Sequence, residues 1–366
     1  MAGVGRALPP HRYEQDELVA ALNALWAGKH HNLDRLARLH ESVQVGGRNL
    51  ALPLEAYAEL TDFGKANDAF IRVGLDLGEI AVRRALESAG LEPTDVDALF
   101  FTTVTGLATP TIDARLVNRM GLRRDVRRTP MFGLGCVGGA AGVARMNDYL
   151  DGHPDSVAVL LSVELCSLTL QRGDFSMANL IASGLFGDGA AAVVGVGARR
   201  ASAMSAARAS AIPTLPPPRG VSRPRVLASR SVFYPDTEYI MGWDIEPSGF
   251  KVVLSTDLAP LIEANLADDI DAFLRDHELG REDIGAWIAH PGGPKVISAM
   301  EKALALDPEA LALTRRSLAE IGNLSSSSVL FVLADHLEQG RVPPGSSALL
   351  MAMGPGFCAE LVLLRG

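Results

Sequence analysis

Cys136, His290 and Asn323 are three residues whose types and order along the chain could carry covalent acyl chemistry. Cys136 lies in Met131-Phe132-Gly133-Leu134-Gly135-Cys136-Val137-Gly138-Gly139-Ala140-Ala141-Gly142. The residues before it are apolar and read as a strand; those after it are small and become helical through Val143-Ala144-Arg145-Met146. A thiol at a strand-to-helix turn faces the positive end of a helix dipole, which favours the nucleophilic thiolate. Flanking glycines let a carbonyl group approach the sulfur and the backbone N–H groups. A buried cysteine among small residues is also ordinary core filling, and this segment alone does not separate the two.

His290 lies in Trp287-Ile288-Ala289-His290-Pro291-Gly292-Gly293-Pro294. Three apolar residues, a histidine and a Pro-Gly turn put the imidazole at a strand's end, the edge where open α/β sheets bind ligands. A histidine that only caps a strand is the plainer alternative. Asn323, in Ile321-Gly322-Asn323-Leu324-Ser325-Ser326-Ser327-Ser328, reads as an N-cap or near-cap of the following helix. A side-chain amide there can also donate to a developing oxyanion. Cys, His and Asn together suit nucleophilic acyl transfer. A papain-like protease uses the same three types, but its local cysteine signature is absent and its cysteine lies near the mature N-terminus.

The elements that must position these residues follow from patterning. Helices are expected over Asp34 to Val43, Phe70 to Ala89 (closed by Gly90), Ile112 to Met120 (closed by Gly121), Cys136 to Leu150, Leu258 to Leu274 and Leu324 to Leu337. Strands are expected over Val96 to Val104, Ser156 to Val163, Ala190 to Val196, Ile284 to His290, Ser347 to Met353 and Phe357 to Leu364. Ile212 to Arg225 carries five prolines and cannot be a regular helix or a central strand. The boundary is placed there: residues 1–212 form a half carrying the cysteine, and residues 213–366 a half carrying the histidine and asparagine. A surface loop within one domain is the alternative. Each half offers a strand, a helix that starts among small residues, and closing strands, an order that suggests duplication.

Bulk properties narrow the classes. A chain of 366 residues suits one large α/β unit or two closely packed domains. The net charge of −9 argues against a general nucleic-acid binder. Cys136, Cys166 and Cys358 form no CxxC pair, so neither a zinc site nor a disulfide framework is expected. His30 and His31 are adjacent and read as surface residues, with no metal site expected. Met1 to Ala20 lacks the apolar core of a signal peptide, and no apolar run approaches the ~20 residues of a membrane helix. A cytoplasmic protein is the expectation.

The segments taken together resemble the type III polyketide synthases, the chalcone synthase-like family. The resemblance rests on Gly135-Cys136 and its glycines, Leu185-Phe186-Gly187-Asp188-Gly189-Ala190-Ala191, Trp287 to Pro294, Gly322-Asn323-Leu324-Ser325-Ser326, and Gly354-Pro355-Gly356, in the family's order and spacing. It implies an α/β, thiolase-like fold of two pseudo-repeated halves in a layered αβαβα arrangement, working as a homodimer. It also implies the chemistry. Cys136 takes an acyl group from an acyl-CoA starter, its thiolate stabilised by a His290 imidazolium; malonyl-CoA loses CO2. His290 and Asn323 donate to the enolate oxygen, one such donor being worth ~3 kcal/mol. The carbanion then attacks the Cys136 thioester. CoA thioesters are substrates here, so no cofactor is expected; an acyl carrier protein is an alternative donor.

The resemblance assigns further residues. Phe186 matches the gatekeeper phenylalanine between CoA tunnel and cavity; packing beneath the Gly187 turn is the plain alternative. The second gatekeeper phenylalanine falls at Val252, which implies a less closed cavity. Thr105 and Thr109 fall where the family lines its cavity. Arg35 and Arg38 fall near CoA-contacting positions, and Lys295 could also serve, although a solvated helix face explains the arginines equally well. Met353-Gly354-Pro355-Gly356-Phe357 departs from the family's usual loop, which bears on cyclisation. Cys358 reads as packing and Cys166 as a cavity-edge or core thiol. The features lean toward a fatty acyl starter and an alkylpyrone or alkylresorcinol product, with a short or aromatic starter as the alternative. The rivals are a ketoacyl synthase III-like enzyme making one condensation, and a non-catalytic acyl-binding protein of the same fold.

Overall fold

The computed structural model describes residues 1–27, 33–210 and 223–366. The first half contains β1 (Gly3–Ala7), β2 (His11–Glu14), α1 (Gln15–Trp26), α2 (Leu33–Ser42), β3 (Gly47–Leu50), α3 (Phe63–Ala89), β4 (Ala98–Thr103), α4 (Ile112–Met120), β5 (Arg127–Phe132), α5 (Gly138–Gly152), β6 (Val157–Leu165), α6 (Met177–Leu185), β7 (Asp188–Val196) and α7 (Ala198–Ser210). The second contains β8 (Arg225–Phe233), β9 (Met241–Glu246), β10 (Gly249–Leu254), α8 (Leu258–Arg275), β11 (Ile284–Ala289), α9 (Pro294–Leu304), α10 (Ala312–Ile321), α11 (Ser328–Glu338), β12 (Ser347–Gly354) and β13 (Cys358–Arg365). His30, His31 and the boundary at 212/213 lie outside the described residues.

Two sheets run in the same order. The first is β1-β7-β6-β4-β5 and the second β8-β13-β12-β11. In each, the two outer pairs at one end are antiparallel (β1 with β7 and β7 with β6; β8 with β13 and β13 with β12), and the next pair is parallel (β6 with β4; β12 with β11). The second sheet lacks only a counterpart of β5.

Strand alternation builds the layers. On β6, Val159, Leu161, Val163 and Leu165 face a core shared with α3, whereas Ala158 and Leu160 face a core shared with α5 and α11. On β12, Leu349, Met351 and Met353 face α8 and α9, and Ala348, Leu350 and Ala352 face α5 and α11. Strands apolar on both faces are those buried between two helical layers. α3 and α4 cover one side, α5 and α11 lie between the sheets, and α8 and α9 cover the other side. This is the αβαβα arrangement of the thiolase-like fold.

The parity of β6 matters for function. Ser162 and Glu164 continue the Ala158–Leu160 face, so they point into the central layer at the strand's C-terminal end. Both are fully buried there. α3 starts seven residues before the expected Phe70 because Asp62 caps it, accepting from the Lys65 N–H at 3.0 Å. β7 starts at Asp188, two residues before the expected Ala190.

Candidate active site

Cys136 occupies a single 3-10 turn, Gly135–Val137, that leads into α5. Gly135 has φ +52°, and a Cβ there would sit 2.5 Å from Pro355 Cδ. The loop Gly354-Pro355-Gly356 therefore packs against the nucleophile turn. The pseudo-repeat has the same device: a 3-10 turn, Ser325–Ser327, leads into α11, and Ser325 has φ +48°. The two turns meet. The Cys136 thiol donates to Ser325 Oγ at 3.7 Å, and a Cβ at Gly139 would lie 2.2 Å from the Ser326 carbonyl oxygen. The glycines after the cysteine and the serines after the asparagine are thus one feature, two helix starts in close contact.

Asn323 precedes its turn rather than the helix proper. Its Oδ1 accepts the Ser325 N–H at 2.8 Å, which fixes the amide's orientation. The Nδ2 group must then face the other way, and it donates to the Gly292 carbonyl at 3.3 Å. An amide carries two N–H donors; the second is directed at the Cys136 thiol and favours its ionised form. Gly292 belongs to the loop after β11, where the His290 N–H donates to the Met351 carbonyl at 3.0 Å. One side chain therefore ties the histidine loop to the cysteine turn. His290 is buried, and neither ring nitrogen has a hydrogen-bond partner among the described residues. A buried imidazole with both nitrogens unsatisfied is what a substrate-binding role requires, since such groups are otherwise paired.

Charges differ from expectation. Burial pushes the Cys136 thiol up to about 12, against the opposing pull of Ser325, its own backbone N–H and Asn323, while Glu164 adds to the rise. Burial takes His290 down to about 3, which opposes the expected imidazolium. Desolvation penalises both charged forms, and among the described residues no carboxylate offsets it at the ring. An ionised pair requires the proton to pass from Sγ to the imidazole, each charge then sustaining the other.

Glu164 was not anticipated. It accepts from the Val104 N–H at 3.1 Å, Thr105 Oγ1 at 2.8 Å, Thr103 Oγ1 at 3.3 Å, and Ser326 Oγ. Burial raises its carboxyl to about 7 in spite of these bonds. A carboxyl poised near neutrality beside the nucleophile can exchange protons with a bound chain. Its signal in the sequence was an acid ending an otherwise apolar strand. Thr105, expected to line the cavity, instead spends its hydroxyl on Glu164 and on the Leu165 N–H at 2.9 Å. Thr109 is exposed and lines no described cavity of its own chain.

A cavity of about 300 Å3 is lined among others by Cys166, Thr169, Phe186, Trp243 and Val252; it meets the centre through Phe186, which pairs with Asn323, while Cys136, His290 and Asn323 are not among its lining residues. Phe186 is placed by backbone pairing with Asn323 and by Arg48, whose Nη1 donates to the Phe186 carbonyl at 2.6 Å. Val252 is at the wall, as the alignment implied, but the space it leaves is occupied. Val252 on β10 pairs directly with Trp243 on β9, so both side chains share a face. The indole lies 6.5 Å from the Phe186 ring. Phe186 and Trp243 thus stand together on the wall that Val252 also lines. Trp243 was missed because its partner across the hairpin, not its own surroundings, gives it meaning. Cys166 is a cavity-edge thiol held protonated by burial. Cys358 lies on β13, its thiol donating to the Pro355 carbonyl at 3.6 Å. Arg35, Arg38 and Lys295 are exposed, the arginines on α2 and the lysine at the start of α9.

Two family descriptions match the chain: chalcone and stilbene synthases, N-terminal domain, over residues 1–199, and the C-terminal domain over residues 225–366. The chain is 53% identical over its whole length to a 1,3,6,8-tetrahydroxynaphthalene synthase of Streptomyces peucetius subsp. caesius, covering 92% of that protein. It is 35% identical to a putative chalcone synthase of Bacillus subtilis, over 98% of this chain and 96% of that one. The crystal structure of the tetrahydroxynaphthalene synthase of Streptomyces coelicolor, a bacterial type III polyketide synthase, superposes with a TM-score of 0.88 at 29% identity, over 100% of this chain and 98% of that one. With the fold, the cysteine turn and the matches over both halves in agreement, the chain belongs to the chalcone and stilbene synthase family, the type III polyketide synthases, which perform decarboxylative Claisen condensation.

Proposed function

We propose that this enzyme builds a polyhydroxylated aromatic product of the tetrahydroxynaphthalene class from malonyl-CoA. The observation that carries the reading is Arg172 on the cavity wall. The polar groups beside it, Tyr57, Ser167, Thr169, Asn179 and Arg48, already hydrogen-bond within the protein, whereas the Arg172 side chain makes no hydrogen bond with a described residue. A polyketone chain has an oxygen on alternate carbons and can accept from that guanidinium; an alkyl chain offers it nothing. The identity to the Streptomyces peucetius enzyme supports the same product class. The ten ring carbons of that product correspond to five two-carbon units. Five malonyl-CoA would then give one product, five CO2, five free CoA thiols and one water.

In this reading Cys136 carries the chain. Its proton passes to His290 as the thioester is attacked, and the His290–Asn323 pair donates to the enolate oxygen when the extender loses CO2. Phe186 and Trp243 keep water from the carbanion. Glu164 exchanges protons with the folded-back chain during ring closure. Arg35, Arg38 and Lys295, all exposed, would meet CoA phosphates. A second reading, a fatty acyl starter giving an alkylpyrone or alkylresorcinol, is favoured by the leucines of α1 on the cavity wall, Leu18, Leu22 and Leu25. Mass spectrometry of products from malonyl-CoA alone, and with a panel of acyl-CoA starters, separates the two. The first reading expects a ten-carbon aromatic from malonyl-CoA alone, lost in Cys136→Ala. Products stopping at one condensation would overturn both.

We also propose a homodimer through β5. It is the edge of the first sheet and is largely exposed, with Phe132 half in solvent. An exposed edge with an apolar residue is a pairing site for a second chain. Light scattering at micromolar concentration would show two chains; a monomer would refute this.

A further inference from the structure

The cavity walled by Phe186 and Trp243 adjoins a second one of about 440 Å3. Tyr57, Ser167, Leu170 and Arg172 line both. Two of the residues lining the first cavity are cations, Arg48 and Arg172. Arg48 is committed: Nη1 donates to Phe186 and Nη2 to the Ser183 carbonyl at 2.7 Å, with Asp188 as its counter-charge. Arg172 is not. The residue is half-buried and its guanidinium makes no hydrogen bond or ion pair with a described residue. The acids of the second cavity are occupied elsewhere. Asp62 caps α3, Asp174 accepts from Ser176, and Glu246 pairs with Lys251 at 3.1 Å.

The backbone that carries Arg172 is pinned from three elements. Trp26 Nε1 on α1 donates to the Arg172 carbonyl at 3.1 Å. Asn179 Nδ2 on α6 donates to the carbonyls of Gln171 at 2.9 Å and Asp174 at 2.7 Å. Gln171 Nε2 donates to the Phe250 carbonyl on β10 at 3.0 Å. A rigid loop thus holds an uncommitted guanidinium where two cavities join. An unpaired cation costs free energy in such a place unless a ligand anion compensates it.

We propose that Arg172 is a specificity-determining residue that receives the distal carboxylate of a chain started from a dicarboxylic thioester. This rests on the malonyl-started reading above. A malonyl starter keeps a free carboxylate at the end remote from Cys136, and each condensation carries that end further into the cavity. A guanidinium at the cavity's junction can hold it bidentately. A starter ending in methyl gains nothing from Arg172.

The test compares glutaryl-CoA with pentanoyl-CoA as starters, matched in chain length and differing in the terminal group. The readout is the ratio of their kcat/KM values with malonyl-CoA as extender. In Arg172→Met the glutaryl/pentanoyl ratio falls about 10- to 100-fold, the value of one charge-assisted contact. Arg172→Lys, which keeps the charge without the fork, lies between. A ratio that does not move, or that Arg172→Lys lowers as far as Arg172→Met, overturns the proposal. If malonyl-CoA alone gives no ten-carbon product from the wild type, the functional reading fails, while the ratio still decides the role of Arg172.

Discussion

Trp243→Ala tests whether the wall opposite Val252 sets the size of the starter. Trp243 faces Phe186 across 6.5 Å and stands in register with Val252. A fully buried aromatic side chain removes about 150–250 Å2 from water, so the half-buried indole covers about 100 Å2. Hydrophobic transfer at about 0.8 kcal/mol per methylene and about 25 cal/mol per Å2 gives about 32 Å2 per methylene. The variant therefore makes room for about three more methylenes. Each is worth about fourfold in affinity, so the gain levels off near 60-fold. The assay is kcat/KM over a series of straight-chain acyl-CoA starters with malonyl-CoA as extender. The optimum should move out by about three carbons. The stability cost is about 1–2 kcal/mol, below the full-burial value for such truncations, and a thermal melt checks it. The paired variant Trp243→Val with Val252→Trp puts the indole back from the other strand and should restore the original optimum. An unchanged optimum in a folded Trp243→Ala enzyme would refute the wall.

Four further outcomes follow from the site. In His290→Ala, alkylation of Cys136 by iodoacetamide at pH 7 should slow at least about tenfold, its inflection moving toward the value of about 12 that burial imposes; an unchanged rate would mean the ring does not take the thiol proton. Glu164 has its carboxyl raised to about 7 from 4.5. The folded state therefore holds its proton more tightly, and stability present below pH 4.5 declines as pH rises to 7, by about 3 kcal/mol; in Glu164→Gln the urea midpoint should lose that part of its pH dependence. Asn323→Ala should lower kcat by about 100-fold, as one transition-state donor is lost, and slow starter loading less, as the thiolate loses one of its donors; burst measurements of acyl-Cys136 separate the two. Gly139→Ala should destabilise by about 1–3 kcal/mol or more, since its Cβ would meet the Ser326 carbonyl at 2.2 Å and cannot shift without parting α5 from α11; an unaffected melting temperature would contradict the packing.

How far the site could be read in the sequence depended on where each residue's meaning was stored. Cys136, Asn323 and the elements around them were legible because glycine, serine and apolar runs mark turns and buried strands locally. The strand containing Ser347 is an instance, running one residue past the expected end to Gly354. Glu164, Trp243 and Arg172 were not legible, for one shared reason. Glu164 acquires its role from Thr103, Thr105 and Ser326, which come from β4, the loop after it and the opposite half. Trp243 acquires its role from Val252 across a hairpin. Arg172 matters because the acids around it are committed elsewhere. Charge has the same origin: a turn and a neighbouring histidine argue for a thiolate, while burial, visible only in three dimensions, opposes it until the proton can move between Sγ and the ring. The two crossed turns go further. Both 3-10 turns use a positive φ, at Gly135 and at Ser325, yet only the first presents a thiol. Ser325 instead accepts the Cys136 thiol proton's hydrogen bond at 3.7 Å. One copy of the repeated device thus presents the thiol, and the other braces it and fixes the Asn323 amide. The division needs both halves, so neither half alone assembles the site.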